Sequence, residues 1–545
     1  NYGLGYAISI DEEGRTSKRV FDTVSSRTEA AGQIRAKEIR DAFGRVIEKI
    51  DAGEASTFYY YDNLNRVSSV IYPEVTIRDT RQACEVHEQS VRPTIRYTYT
   101  EDDNVETETD FNGNITSYLY DALNRVTRIT GPGGEIFQRT NYAADVLAFP
   151  QRKVLKRDGM GNEEETWLVG MDRPWKMVAA DGGEKRFTYD SQGRERTQTL
   201  PWGEETTKYY NAINEVVRTE TQVGGALSVA EMAHDARGRL ITHIDGDGLY
   251  TVNAYDTAGR LLTRHIGDPA LTTPLLVEEN SYDRSGLLIE QRRKGARTLY
   301  EHDDLGRVVK EHIGYNGSSA LRTLAYEWTA TDLPISTTNG AGERTSSSYD
   351  ALGRLLKQDV QSETGAGKFT THASRNFAYD AQGNLTINAN ESGLASCFVF
   401  DEHNRKVAFT SAGMGTVSTG YVRGSANPVD NTVQSLAVTT TSPTGEQQTF
   451  YQDSHGRTWL AVAADGSMRE WIYEDGNLVR ENRRHPNGRL YASRITTYHP
   501  QSTRKHQEYD WGRPEEVQAC LTGSSPCELG VVTYTYTCLL YTSDA

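Results

Sequence analysis

Residues 253–262 read NAYDTAGRLL, and residues 347–356 read SSYDALGRLL. Looser copies end at Val126 (SYLYDALNRV) and at Glu195 (RFTYDSQGRE). A motif written this often is either a catalytic sequence in many copies or a structural corner. Its spacing distinguishes the two.

The Asp of each copy, or the residue in its place, serves as an anchor. Anchors fall at Asp11, Asp41, Asp62, Asp121, Asp190, Asn211, Asp235, Asp256, Asp283, Asp303, Asp350, Asp380, Asp401 and Asp453. Fainter ones fall at Thr100, Gly170 and Thr329. The steps 41 to 62, 100 to 121, 190 to 211, 235 to 256, 329 to 350 and 380 to 401 are each 21 residues. The steps 170 to 190 and 283 to 303 are 20. A glycine lies 8 or 9 residues before the second anchor: Gly53, Gly113, Gly203, Gly248, Gly295, Gly342 and Gly393. Longer steps, such as 256 to 283, carry extra residues, as in GDPALTTP at 267–274.

Each mark has a local physical reading. Asn-Gly and Asp-Gly supply positive φ and make strong hairpin turns. Asp-x-x-Gly reads as a β-turn, with the Asp accepting backbone N–H groups and the Gly in the left-handed region. Asn tolerates that region next best, which accounts for YDNLNR, YDALNR and FDEHNR. Between turns the chain alternates, as in Tyr97-Thr98-Tyr99 and Phe187-Thr188-Tyr189, which is strand patterning. Two turns subtracted from 21 residues leave two strands of about 7 residues each. The best helical candidate, SSRTEAAGQIRAKEIRDAFG (25–44), overlaps an anchor and is discounted. The expected fold is all-β: a long array of antiparallel hairpins wound into a spiral, hollow β-shell, with cross-strand Tyr, Thr and Asp–Arg pairs holding a thin wall. A parallel β-solenoid ranks lower, because fixed Asp-Gly turns favour antiparallel hairpins.

Composition agrees. Of 545 residues 37% are hydrophobic and 25% charged, yet 31 Tyr, 13 Phe and 7 Trp are too many aromatics for a disordered chain. Tyr suits a wall that buries ring bodies and wets hydroxyls. A net charge of −16 argues against nucleic acid or an anionic membrane as partner. Five Cys do not make a disulfide scaffold. No run of about 20 apolar residues offers a transmembrane helix, and no signal peptide is visible.

Tyr-Asp-x-x-Gly-Arg-Leu at this spacing, in YDTAGRLL, YDALGRLL and HDARGRLI, resembles the YD-repeat or Rhs family. The resemblance runs from about Asp11 to Asp510. The family includes bacterial Rhs polymorphic toxins, the C component of insecticidal toxin complexes, and teneurins. It implies a hollow β-shell that, in the bacterial toxins, encloses a C-terminal toxic domain. The family's closing Asp-Pro-x-Gly-type segment is not found; Asp268-Pro269 continues Ala-Leu in mid-array. The array is assigned to 1–537, truncated at both ends, with weaker repeat and insertion at about 63–99 and 410–445. Cys538–Ala545 (CLLYTSDA) reads as a non-native tail.

No residue is assigned a catalytic, cofactor-binding or metal role, and no cofactor is expected. Catalytic carboxylates need differing environments, whereas repeated corners give equivalent ones. Asp245-Gly246-Asp247-Gly248 lacks the later ligands of a calcium loop and reads as a hairpin turn. Cys520 and Cys527 have no second pair for zinc; a disulfide-closed loop and two free thiols remain alternatives. Gly365–Lys368 lacks the upstream Gly and the Ser/Thr of a phosphate loop. His87, His302 and His455 read as surface or turn residues. Trp167, Trp175 and Trp202 read as wall packing, with a sugar-stacking patch as the alternative.

The expected function is structural, not enzymatic: a shell segment of a secreted bacterial Rhs/YD-repeat toxin. It would enclose a C-terminal effector, its main partner, and meet a delivery or secretion component. The alternative is an extracellular carbohydrate- or cell-surface-binding adhesin, with cell-surface glycans as partners. Localisation is expected to be secreted or cell-surface.

Overall fold

The computed structural model describes residues 5–533 apart from 11–15, 22–24, 31–32, 81–85, 145–151, 159–162, 180–182, 202, 224–225, 269–274, 366, 391, 393, 427–433, 454–456, 475–476, 499–513 and 522–530. Strands dominate it, and 44 of them belong to one sheet. Nearly every strand pairs antiparallel with the next in sequence, as Leu240–Ile244, Tyr250–Tyr255 and Leu261–Gly267 do. The discounted helical candidate at 25–44 contains strands Ser25–Ala30 and Gln33–Arg40 followed by a corner. Among the described residues the only helical turn is the single 3-10 turn Pro132–Gly134.

The two rims of the sheet use one turn. At the Asp256 corner, Gly259 N–H donates to Asp256 O (3.1 Å) and Asp256 N–H to Arg260 O (3.0 Å). At the opposite rim, Gly248 N–H donates to Asp245 O (3.0 Å) and Asp245 N–H to Leu249 O (2.9 Å). In both only the third residue after Asp has positive φ: 95° at Gly259 and 85° at Gly248. This is a type I turn closed by a glycine bulge, and the ladder slips by one residue at Ala254/Tyr255. Asn65, Asn124, Asn214 and Asn404 take the same conformation (φ 59–68°), as their short polar side chains allow.

One hairpin leaves the sheet. Val75–Thr80 and Val86–Val91 pair with each other, while Val67–Ile71 passes directly to Thr94–Tyr99. Tyr72 N–H closes the base on Pro93 O at 2.8 Å.

The wall is thin. It exposes 32688 Å², against about 20,000 Å² for a compact globule of this mass. Leu460 is the only large side chain that is fully buried among the described residues. Cohesion therefore comes from side chains on the sheet faces and at its rims. Cross-strand threonines bond through their hydroxyls, as Thr98 with Thr107 (2.7 Å) and Thr188 with Thr197 (2.6 Å). The sheet does not close on itself strand to strand. It returns beside itself, and hydrogen bonds across that return join residues 271 to 308 apart in sequence.

Candidate functional site

The repeated corner is the unit from which the wall is made. Asp235 Oδ1 accepts the backbone N–H groups of Arg237 (2.8 Å) and Arg239 (3.0 Å). Its Oδ2 accepts from Arg239 Nε at 2.6 Å, with Nη2 at 2.5 Å, a two-pronged ion pair inside one turn. Donation from the Arg239 side chain, then from its backbone, holds the Asp235 carboxyl down to about 2. The expected Asp–Arg pairing across units is present, as Arg66 with Asp103 (2.7 Å) and Arg307 with Asp332 (3.0 Å), but the corner Arg pairs first with its own Asp, four residues back. The reason is the turn, which folds position five over position one.

The free arm of that Arg reaches the next unit. Arg239 Nη1 donates to Asp256 O (2.9 Å), and its guanidinium lies 4.8 Å from the Tyr255 ring centroid. Tyr255 in turn donates its hydroxyl to Leu240 O at 3.0 Å. Arg260 repeats this toward Asp283 O (3.1 Å) and Tyr282 (4.7 Å), and Arg354 toward Asp380 O (2.8 Å) and Tyr379 (5.0 Å). Corners are therefore chained rim-wise, Asp to Arg to the next Tyr. Desolvation by burial pushes the Tyr282 and Tyr379 hydroxyls up in pKa.

One pair of exceptions is coupled. Where Glu215 replaces the Arg, His234 replaces the next Tyr, with its Nδ1 3.7 Å from Glu215 Oε2. Asn211 keeps the backbone caps (3.0 Å to Ile213 N and to Glu215 N) and donates to Glu215 Oε2 at 2.8 Å. Trp328 stands for the Tyr after Arg307 and donates its Nε1–H to Val308 O at 2.8 Å. Reading Arg and the following Tyr as one pair would have found both substitutions in the sequence.

The second element is the seam. The glycine-turn rim of the early strands meets the corner rim of the late strands. Gln382, two after its corner Asp380, donates to Asp110 Oδ2 (2.8 Å) and accepts Phe111 N–H (3.2 Å). Asn114 Nδ2 donates to Glu402 O at 3.2 Å. His403 Nε2 lies 2.7 Å from Glu135 Oε2, off-axis for a hydrogen bond, and its ring packs edge-on to Phe137 (5.6 Å). Arg35 pairs with Asp332 and donates to Ala330 O. An open cleft of about 800 Å³ lies along the same seam, between Asp51, Gly53 and Tyr72 on one side and Thr331, Ser348 and Leu352 on the other. The outlying hairpin packs against the strands at 368–379, 385–389 and 395–400. There the buried Thr386 donates Oγ1–H to Arg78 O at 2.6 Å. The chain is a spiral of one wall lying on its own edge.

Residues 99–136 match the family model RHS Repeat. That stretch carries the RHS repeat. The chain is similar in fold to the structure titled "Crystal Structure of TcdB2-TccC3-Cdc42", with a TM-score of 0.62 and 12% identity over 89% of this chain and 27% of that one. It is also similar to "Crystal Structure of TcdB2-TccC3 without hypervariable C-terminal region" (TM-score 0.45, 14% identity, 90% and 29%). The chain thus spans about a quarter of the length of the first of these. No curated protein matches it.

The residues singled out in sequence take their places in this wall. Asp245 spends its Oδ1 on Asp247 N–H (3.0 Å) and Leu249 N–H (2.9 Å), as a hairpin cap does. Among the described residues no cluster of three His, Cys, Asp or Glu could hold a metal. Gly365 and Gly367 form the turn between Leu355–Gly365 and Lys368–Tyr379. Trp167 and Trp175 come together edge to face (6.4 Å), both half-buried; Trp202 and His455 lie outside the described residues. His302 occupies a corner's Tyr position ahead of Asp303, and His87 lies in the outlying hairpin. Cys520 lies in the strand Pro514–Leu521, opposite Ser493, and Cys527 lies outside the described residues. Sequence reading passed over Cys397, which is 2% exposed and disulfide-bonded. A lone Cys in a strand carries no spacing signal.

Proposed function

We propose that this RHS-repeat wall is an encapsulating segment of a shell that encloses an effector carried by the same protein, and that the protein is exported. The seam carries the proposal. A flat sheet of this length would expose two aggregating edges, but a wall that returns to its own rim surrounds a volume. The corners support a structural role: the carboxylates of Asp235, Asp256 and Asp350 are each committed to a backbone cap and an Arg, which leaves them without a free proton-transfer partner. The disulfide at Cys397 supports an oxidising compartment. Among the described residues no helix is long and apolar enough to cross a membrane.

Small-angle X-ray scattering of the chain tests the first half. The expected pair-distance distribution is that of a hollow body, and a solid-rod profile would end the proposal. Protection tests the second half. A protease-sensitive reporter joined after Thr537 is expected to be cleaved far more slowly than the free reporter. Equal cleavage rates would count against enclosure.

A further inference from the structure

The outlying hairpin packs on a buried patch of the late strands. Ala378, Ile387 and Cys397 stand opposite one another on three neighbouring strands, so their side chains share one face. They are 5%, 8% and 2% exposed, in a wall whose faces are mostly half-buried. The element packed on these strands is Val75–Thr80, the first strand of the hairpin. Thr386, next to Ile387, bonds to that strand at Arg78 O.

Cys397 is disulfide-bonded, and the other cysteines of the chain are Cys84, Cys520, Cys527 and Cys538. Reach separates them. The Cα atoms of a disulfide lie within about 7 Å of each other. Cys520 is on Pro514–Leu521, nine strand-to-strand steps along the sheet from Ala395–Phe400. At about 4.8 Å per step that is about 43 Å of wall. The wall returns beside itself between residues 271 to 308 apart, whereas Cys520 is only 123 residues from Cys397. Cys527 follows Leu521 by six residues and Cys538 follows Thr533 by five. At about 3.4 Å per residue neither stretch spans that gap. Cys84 is 313 residues from Cys397, close to the spacing of the return itself. It lies outside the described residues, and in sequence it stands between the two strands of the hairpin that packs on Cys397's own strand.

We propose that Cys84 and Cys397 form a disulfide clasp across the seam, which ties the outlying hairpin to the late strands and makes their contact redox-dependent. Oxidised, the clasp closes one full turn of the spiral covalently, and a cross-link between such distant residues restricts every open form of that seam. Reduced, the hairpin keeps only the Thr386 bond and its apolar contacts. Opening takes a thiol reductant. Because Cys397 is buried, the reductant's thiolate attacks the Cys84 sulfur. The S–S bond breaks, a mixed disulfide forms at Cys84, and Cys397 leaves as a thiolate that takes up a proton. A second thiol then displaces Cys84 from the mixed disulfide. Two thiols are oxidised to one disulfide, and the two cysteines gain two electrons and two protons. The clasp stays shut where disulfides persist and opens in a thiol-reducing compartment. The inference is independent of what the shell encloses.

Two measurements on the full chain test this. Mass spectrometry of a non-reduced trypsin digest identifies the pair, because Cys84, Cys397 and the group Cys520, Cys527 and Cys538 fall on three different peptides. The expected product links the first two. Cys397 bonded to any other cysteine, or recovered as a free thiol, overturns the proposal. Amide exchange with and without dithiothreitol reads the effect. Reduction is expected to speed exchange at 75–80, 86–91 and 385–400 at least about tenfold and to leave 235–262 unchanged. Cys84→Ser keeps the buried Cys397 side chain. It is expected to exchange as fast without dithiothreitol and to show no further change with it. The reduced wild type carries no substitution, so a folding defect in the variant leaves the test standing. Unchanged exchange in the hairpin on reduction, or uniform loosening of the whole sheet, overturns the proposal.

Discussion

Arg239 lies over the ring of Tyr255, its guanidinium 4.8 Å from the ring centroid, while its own carboxylate partner is Asp235. The two residues belong to successive corners, so the contact joins units rather than stabilising one. Tyr255→Phe keeps the ring and loses only the bond to Leu240 O. It is expected to cost about 1 kcal/mol. Tyr255→Leu also loses the cation–π contact, a further 0.5–1 kcal/mol or about that. Amide exchange is the measurement, because a repeat array opens locally. Faster exchange should appear at 235–262 and fade a few strands away. Uniform loss over the whole sheet would show that the corners are not chained by neighbours.

Asp235 does two things that can be separated. Asp235→Asn keeps an oxygen for the Arg237 and Arg239 N–H groups, as Asn211 does in its own corner. Asp235→Ala keeps nothing. Asn is expected to destabilise the corner by losing the charge-assisted bond, and Ala to destabilise it more, because it also loses the caps. Urea titration followed at the local amides would rank them. Equal costs would mean that the caps contribute nothing.

Gly259 has φ +95° with only the tip of Arg239 near a built Cβ (3.7 Å). Its requirement is backbone conformation, not space. Gly259→Ala should destabilise the corner by about 1–2 kcal/mol, and Gly259→Asn by less, since Asn124 and Asn404 hold the same place. If Ala and Asn cost the same, the left-handed preference is not what selects the residue.

Acid should weaken the wall through its corners. The Asp235 carboxyl is held at about 2, against 3.8 for the unconstrained group, and those of Asp121 and Asp190 are also lowered. A depressed carboxyl adds stability that is fully present above its unfolded pKa and is lost as pH falls through the folded one. The urea midpoint should hold from neutrality to about pH 4 and drop from there toward about pH 2. At the alkaline end, Tyr hydroxyls raised by burial add stability below their unfolded pKa that is lost as pH rises beyond it. An acid limb that is flat down to pH 2 or about that would refute the corner assignment.

The outlying hairpin depends on Thr386, 2% exposed, and its bond to Arg78 O. Thr386→Val keeps the shape and removes the donor, leaving the carbonyl to find water at a cost of about 1–3 kcal/mol. Limited trypsin digestion should then cut at Arg78 sooner, while corners distant from it keep their protection. Unchanged cleavage would show that the hairpin is held by its apolar contacts alone.

Much of this architecture was legible because its determinants are local. Asp-x-x-Gly sets a turn by its own caps and its own positive φ, so the corners at Asp235, Asp256 and Asp350 could be placed from spacing alone. So could the glycine turns at Gly113 and Gly248, and the antiparallel order that two rims of turns impose. The partner of each Arg was only half legible. Arg260 does reach the next unit, at Asp283 O and Tyr282, but its carboxylate is Asp256. The coupled pair Glu215 and His234 hid because each looks like a lone lapse from the motif.

The sequence by itself determined the turn, the strand period and the side of the sheet on which each corner falls, since all three are written within about 21 residues. Only the tertiary structure decided where the wall meets itself. Gln382 with Asp110, His403 with Glu135 and Thr386 with Arg78 are joined by the accumulated twist of a dozen or more intervening strands. A small change in twist per strand would move every one of those partners. No local pattern records that sum, and the seam therefore had to be seen.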